Sequence, residues 1–290
     1  MVKDFFNTRP FSMREAIRGM TTNDTGLQDK WALILGASSG FGGATALELA
    51  RHGMHIFGVH LDMRSTLPNA ERIVKEIEGM GRRAMFFNTN AASPEKRKVV
   101  LEKMRAALVE TGTPDGVRVV LHSLAFGTLK PFAGATAAES ISQAQVEMTL
   151  DVMANSLVYW VQDLLFSGML GRGGRIYAMT SAGSERVITD YGAVSAAKCA
   201  LESHIRQLAC ELMKRGITAN AIRAGVTDTP ALRKIPSHAQ LIEQASKRNP
   251  GGRMTTTEDV AKAIALLARP ESQWVNGNII NVDGGEQVVG

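Results

Sequence analysis

The sequence predicts an α/β protein built on a doubly wound parallel sheet of about seven strands, with helices on both faces. Three observations carry the prediction. The apolar run Trp31-Ala-Leu-Ile-Leu35 ends in a glycine-rich turn and restarts as a helix, Ala44 to Gly53, rich in alanine and leucine. Further short apolar runs alternate with stretches of helical spacing, the pattern of a parallel sheet covered by crossover helices. The chain has 290 residues, 44% of them hydrophobic, enough to bury a large core.

Residues 1–29 carry no strand signal. Ser12 to Met20 has the spacing of one short helix, with Met13, Ile17 and Met20 on a common face, and the segment is read as an N-terminal extension laid on the surface. Residues 30–290 then form a single domain. Its first strand, Ala32 to Leu35, is apolar throughout, as a strand buried on both faces should be. It runs into Gly36-x3-Gly40-x-Gly42. Gly36 permits a tight exit from the strand, Gly40 lets the backbone approach a diphosphate, and Gly42 lets the helix pack close to the sheet with its free N–H groups facing the anion.

Strand-like runs follow at His55–Leu61, Arg83–Asn88, Val117–His122, Gly174–Thr180, Thr218–Arg223 and Asn278–Val282. Helices are read between them at Leu67–Met80, Pro94–Thr111, Ser140–Met169, Ala193–Arg215 and Glu258–Ala268. Right-handed crossovers then place the ligand crevice at the carboxyl ends of the strands. The stretch Val226 to Met254, with prolines at 230, 236 and 250 and glycines at 251 and 252, is too long for a plain connection. It leaves the sheet beyond a strand's carboxyl end and is read as a substrate lid at about residues 226–254, with a surface insertion as the alternative.

Composition narrows the function. The net charge of +5 is modest and spread out, and the densest basic stretches, Glu95-Lys-Arg-Lys98 and Gly81-Arg-Arg83, are short and carry helix-surface spacing, so nucleic acid is not implied. No window approaches the roughly 18 to 20 unbroken apolar residues of a membrane span, and Met1 to Pro10 lacks a signal-peptide core. The expectation is a soluble, cytoplasmic protein. Cys199 and Cys210 lie inside a helical pattern without a second pair nearby, so no metal site or disulfide is expected and both are read as packed thiols.

The candidate chemistry sits between Ala178 and Lys198, where a strand end and a polar loop precede a helix carrying Tyr191 and Lys198. Seven residues span close to two helical turns, so the two side chains can share a face. A phenol, with a reference pKa of about 10, is a poor acid unless a nearby cation favours its ionised form. Lys198 can supply that cation and also hold the ribose beside the reacting end of a dinucleotide.

From Trp31 to the C-terminus the chain resembles a short-chain dehydrogenase/reductase with a Rossmann fold, on Gly36-x3-Gly40-x-Gly42, Asn90-Ala91, Ser181 before the tyrosine, and Val282-Asp-Gly-Gly285. Within that superfamily it is most similar to bacterial enoyl-[acyl-carrier-protein] reductases. Most members place three residues between tyrosine and lysine, whereas enoyl reductases place six, as in Tyr191-x6-Lys198. Val194 stands where the usual tyrosine would fall, Leu121-His-Ser-Leu-Ala-Phe126 resembles the enoyl-reductase His-Ser-Ile sequence, and Arg223-Ala-Gly225 carries Ala-Gly for the usual Pro-Gly. Ser181 replaces the second tyrosine of the commonest enoyl reductases. A minority subclass with a regular glycine loop and that serine is the best match, and Asp228-Thr-Pro-Ala-Leu-Arg-Lys-Ile-Pro236 with Pro250-Gly-Gly-Arg-Met254 also resembles it. Met153 stands in the place of the usual catalytic asparagine, with Asn155 as a partial substitute.

The resemblance implies catalytic roles for Tyr191, Lys198 and, in a lesser orienting part, Ser181. It implies cofactor contacts from Gly36, Ser38, Ser39, Gly40, Phe41 and Gly42 in the first turn, and from His60 and Arg64 beyond the second strand. Further contacts fall on Asn90, Ala91, Ser123, Leu124, Lys198, Gly225, Thr227 and Thr229, with substrate against Ala125, Gly127 and Tyr191. The shift of the tyrosine has a physical reason. Ketone reduction needs its acid beside the carbon that accepts hydride. In an enoyl thioester the hydride lands on C3 while charge develops on the thioester oxygen, so the donor moves with it; that hydrogen bond is worth about 3 kcal/mol at comparable oxyanion sites.

His60, Arg64 and the subclass favour NADPH over NADH, although Asp62 opposes a 2′-phosphate and Ser39 offers no charge. The expected activity is NAD(P)H-dependent reduction of enoyl thioesters on an acidic acyl carrier protein in fatty-acid synthesis. The alternatives are a 3-ketoacyl or other carbonyl reductase and a non-catalytic dinucleotide-binding regulator. Leu157, Tyr159, Trp160, Leu164 and Leu165 are read as apolar surface beyond what one sheet face needs, and with the family's habit they suggest a homotetramer.

Overall fold

Alternate side chains of the first strand feed two separate cores, and the layered architecture follows from that. The computed structural model describes residues 25–113 and 116–289. The helix read at Ser12 to Met20 lies outside the described residues, as does most of the N-terminal extension. In β1 (Trp31–Leu35) every residue is buried. Trp31, Leu33 and Leu35 enter one apolar cluster; Ala32 and Ile34 enter the other. Such burial on both faces requires helices on both sides of the sheet.

The remaining strands are β2 (His55–His60), β3 (Ala84–Asn88), β4 (Val117–His122), β5 (Arg175–Thr180), β6 (Thr218–Ala224) and β7 (Ile279–Val282). They lie in the order β3-β2-β1-β4-β5-β6-β7, and every neighbouring pair is parallel. The sequence expectation of a seven-stranded doubly wound sheet is therefore met. The order reverses between β1 and β4, which opens the crevice there.

The face below Ala32 and Ile34 is covered by α1 (Gly40–Arg51), α2 (Leu67–Gly79) and, after β6, by Val260, Ile264 and Ala265 of a later helix. The opposite face is covered by α3 (Pro94–Glu110) and by the long chain segment read as one helix from Ser140 to Met169. That segment differs from the expectation. A capping box between Ser142 and Gln145 starts α4 (Gln143–Leu150) late, a π-helical turn occupies Asp151–Asn155, and α5 (Ser156–Phe166) completes it. A π turn carries one residue more than its α counterpart, so the apolar stripe changes phase there. Periodicity read across the whole stretch hides that break.

α6 (Gly192–Leu212) continues through a 3-10 turn to Arg215, close to the expected end. The stretch read as a lid contains a 3-10 turn, Leu232–Lys234, and an unpredicted helix, α7 (His238–Arg248). Pro236 and Pro250 bracket α7; counting them as signs of irregular chain obscured their role as helix punctuation. α8 (Thr257–Leu267) is the late helix of the first face, with a capping box between Thr256 and Asp259.

Two expectations are corrected. Leu157, Trp160 and Leu164 are fully buried within the single chain, so they are core and not spare surface. The Trp160 indole N–H also donates to the Ala91 carbonyl at 2.9 Å, tying α5 to the loop after β3. Cys199 and Cys210 are exposed on the outward face of α6, because that helix turns Leu201, Ile205 and Leu208 to the sheet instead. No helix among the described residues is long and apolar enough to cross a membrane.

The close packing of α1 on β1 is testable. A Cβ on Gly42 would overlap the carbonyl oxygen of Gly36 and press on the Ile34 side chain at 3.4 Å. Gly42→Ala should lower stability by about 1–3 kcal/mol through overpacking, read as an earlier urea midpoint at unchanged slope. An unchanged midpoint would show that the turn has room to spare.

Candidate active site

The glycine turn forms a cradle for a diphosphate. Ser39 is the N-cap of α1 but makes no side-chain capping bond, and no acidic residue occupies the first turn, so the N–H groups at the helix start remain available to an anion. Gly36 has φ of +92° and lies against the Ser123 carbonyl at the end of β4, where a Cβ would not fit. Gly40 faces Thr229, whose methyl carbon would sit 3.7 Å from an added Cβ. Thr227 and Thr229 are buried at 6% and 7% exposure, although both follow the last sheet position of β6. Gly36, Gly40, Ser123 and Thr229 thus meet at one end of the crevice, and a nicotinamide dinucleotide fits this cradle. Asn90 accepts from the Ala92 N–H at 2.9 Å, shaping the loop after β3.

Beyond β2 the structure builds a polar cluster around Asp62, the residue that weighed against a 2′-phosphate in the sequence. Asp62 is anchored by a 2.7 Å contact between its Oδ2 and His60 Nδ1, and its backbone exchanges two hydrogen bonds with the Asn88 side chain at 2.9 and 3.0 Å. Burial resists ionisation of Asp62, but the hydroxyls of Thr66 and Ser38 and the His60 ring outweigh it and hold the carboxyl below its usual range. A negative charge is therefore fixed beside the glycine loop. Arg64, expected at a 2′-phosphate, is exposed. His60 is 4% exposed and turned to Asp62.

At the reacting end, β5 delivers Ser181 and the start of α6 delivers Tyr191. Their hydroxyl oxygens are 3.4 Å apart, and the Tyr191 ring packs over Gly183, where a Cβ would come within 2.6 Å. Burial raises the phenol above its ordinary range, more than Ser181 lowers it. Tyr191 is thus a protonated donor. Lys198 does not bond the phenol: its ammonium donates to the Met179 carbonyl at 2.7 Å. Burial brings its pKa down to about 8, with the Glu202 carboxylate opposing the fall. Tuning of the tyrosine by Lys198, expected from the sequence, is not a feature of this geometry: Tyr191 precedes the helix that carries Lys198, and their polar atoms serve different partners.

The place of the ordinary reductase tyrosine is closed. Val194 is 4% exposed, Met153 2% and Thr149 fully buried, and all three would crowd a Cβ on Gly127 at 2.7 to 2.9 Å. Gly127 therefore abuts this plug, whereas Ala125 is exposed on the loop after β4. Asn155 pairs with His204 at 3.1 Å. Phe132, which sequence reasoning missed, lies with its ring against Gly192 beside the tyrosine and is 62% exposed. His122 is buried with its Nε2 2.9 Å from the Ser156 hydroxyl, and burial pushes its pKa down to about 3, so it is neutral near pH 7.

Comparison with known proteins agrees with this geometry. The family model "Enoyl-(Acyl carrier protein) reductase" matches residues 36–287. The enoyl-[acyl-carrier-protein] reductase [NADH] FabI of Aquifex aeolicus is 29% identical over 266 residues, covering 91% of this chain and 93% of that protein. The 3-oxoacyl-[acyl-carrier-protein] reductase FabG of Pseudomonas aeruginosa is 30% identical over 269 residues, covering 89% and 98%. A short-chain dehydrogenase from Burkholderia cenocepacia, solved in complex with NADP, superposes with a TM-score of 0.73 at 27% identity, over 90% of this chain and 99% of that one. With its parallel sheet, glycine cradle and Ser181–Tyr191–Lys198 constellation, the chain belongs to the short-chain dehydrogenase/reductase superfamily, within the family that the enoyl-(acyl carrier protein) reductase model describes, and is an oxidoreductase using a nicotinamide dinucleotide.

Proposed function

We propose that this oxidoreductase reduces the trans-2 double bond of enoyl thioesters carried by an acyl carrier protein, a cytoplasmic step of fatty-acid synthesis. The observation that carries the reading is the apolar plug of Val194, Met153 and Thr149 against Gly127. A ketone reductase needs a proton donor at the place this plug fills. The available phenol instead stands at the first residue before α6, suited to an oxygen farther from the hydride acceptor.

A bound dinucleotide would supply hydride to C3 of the enoyl group, and C2 would take a proton from water. Tyr191, a protonated phenol, would donate a hydrogen bond to the thioester oxygen as enolate charge develops, and Ser181 would orient it. Lys198, seated on the Met179 carbonyl, would hold the nicotinamide ribose. Exposed Phe132, with its ring against Gly192 beside Tyr191, offers an apolar edge suited to an acyl chain. The segment 226–254 would close over it as a lid, since Thr229 already touches the glycine cradle. A net charge of +5 suits an acidic carrier.

Crotonyl and acetoacetyl thioesters, offered with NADH and NADPH, separate the readings. Oxidation with crotonyl thioester supports the proposal; oxidation with acetoacetyl thioester alone favours the carbonyl reductase, and none with either favours a regulator. In the enoyl assay Tyr191→Phe should lower kcat by roughly a hundredfold with dinucleotide affinity retained. Full turnover under rate-limiting chemistry would refute the role given to Tyr191.

On cofactor choice the fixed carboxylate of Asp62 supports NADH, reversing the preference for NADPH read from sequence. Asp62→Asn should shift the ratio of kcat/KM toward NADPH by about tenfold; an unmoved ratio would remove Asp62 from the cofactor site. Assembly as a homotetramer remains our reading from the family. With Leu157, Trp160 and Leu164 in the core, its contact surface must use exposed residues such as Phe166, at 82%. Light scattering at micromolar concentration should give four times the chain mass, and a monomer mass would exclude it.

A further inference from the structure

Lys198 and Glu202 stand one turn apart on α6, and both are buried, at 6% and 7% exposure. Two buried charges on one helix face need partners, since an isolated buried ion is costly. The end of β5 supplies two in succession: the Met179 carbonyl accepts from the Lys198 ammonium at 2.7 Å, and the Thr180 hydroxyl donates to Glu202 Oε1 at 2.6 Å. Arg223 of β6 approaches the same oxygen at 3.4 Å, but its shorter bond, 2.8 Å, goes to Glu185. The guanidinium is thus shared between two carboxylates, and Glu202, one turn from Lys198, lies between the two cations.

We propose that Glu202 is a positioning residue of the site: its carboxylate is the buried counter-ion that keeps the Lys198 ammonium charged and seated on the Met179 carbonyl. The other titratable groups on the surrounding elements do not compete for that task. His122 on β4 is neutral, Tyr191 is protonated, and Glu185 is engaged by Arg223. Asp151 of the π turn accepts from the Tyr159 hydroxyl, and Glu147 of α4 from Gln143. Glu202 is the group whose charge opposes the fall of the Lys198 pKa, which burial brings to about 8. Without that charge the amine would hold its proton less firmly, since the neutral Met179 carbonyl offers a hydrogen bond but no opposite charge.

The functional consequence rests on the cofactor role proposed for Lys198, so two measurements are used. The first follows the Lys198 Cε resonance through a pH titration of the full chain labelled with 13C-lysine, assigned with Lys198→Arg. Wild type should titrate near pH 8, and Glu202→Gln about one pH unit lower or more. Glu202→Asp should largely restore the wild-type value. The second measures NADH affinity by fluorescence. Affinity falls as pH rises through the lysine pKa, so Glu202→Gln should match wild type near pH 6 and bind about fivefold more weakly near pH 8. An unmoved Lys198 titration overturns the proposal, as does weakening of equal size at every pH, which marks a purely structural role. Wild type that binds no NADH would refute the cofactor reading, and the titration would still decide the role of Glu202.

Discussion

The close approach of α1 to β1 governs the geometry of the whole site. Gly42 can lie on the Gly36 carbonyl only because neither residue has a side chain there, and Gly36 in turn fits under the Ser123 carbonyl at the end of β4. These contacts bring the carboxyl ends of β1 and β4 together at the reversal of strand order. They also aim the uncapped start of α1 into the crevice. Once that turn is set, the parallel register carries the ends of β5 and β6 to the same edge. Met179, Thr180 and Ser181 arrive there without any special local chemistry of their own.

Much of this was legible in the sequence, for a simple reason. Strands buried on both faces are short apolar runs, and all seven were located to within a residue or so; β4 matches its expected bounds of Val117–His122. The glycine turn was legible because its spacing is a steric requirement. What was lost depended on irregular helix geometry or on distance in sequence. The π turn at Asp151–Asn155 keeps a helical composition and leaves no mark in periodicity. α7 was hidden by prolines that flank it. Among site residues, Tyr191 and Ser181 are ten positions apart yet within 3.4 Å, which their motif spacing anticipated. Asn88, Glu202 and Arg223 were not anticipated, because their importance lies in contacts between separate elements.

The apolar plug shows why a substitution pattern reads more clearly in three dimensions than along the chain. Val194 and Met153 each look like a lost polar group when taken alone. In the structure they fill one volume together with Thr149, pressed against Gly127. A tyrosine at 194 would have to displace Met153 or open the loop at 127, and an asparagine at 153 would be buried beside valine with few partners. The two replacements are therefore coupled by packing, and Gly127 is part of the same arrangement.

Burial acts on the two reacting-end groups in opposite ways, and the protein answers each differently. Loss of water raises the phenol of Tyr191 and lowers the amine of Lys198; both shifts favour the uncharged form. For the hydrogen-bond donor we propose, neutrality is the useful state, and Ser181 lies within reach to orient Tyr191. For the ribose-binding lysine we propose, neutrality would be a loss. A buried carboxylate must then accompany it, and that carboxylate needs its own support, which Thr180 and Arg223 provide. The buried polar network beneath α6 thus accompanies one amine placed where burial disfavours its charge.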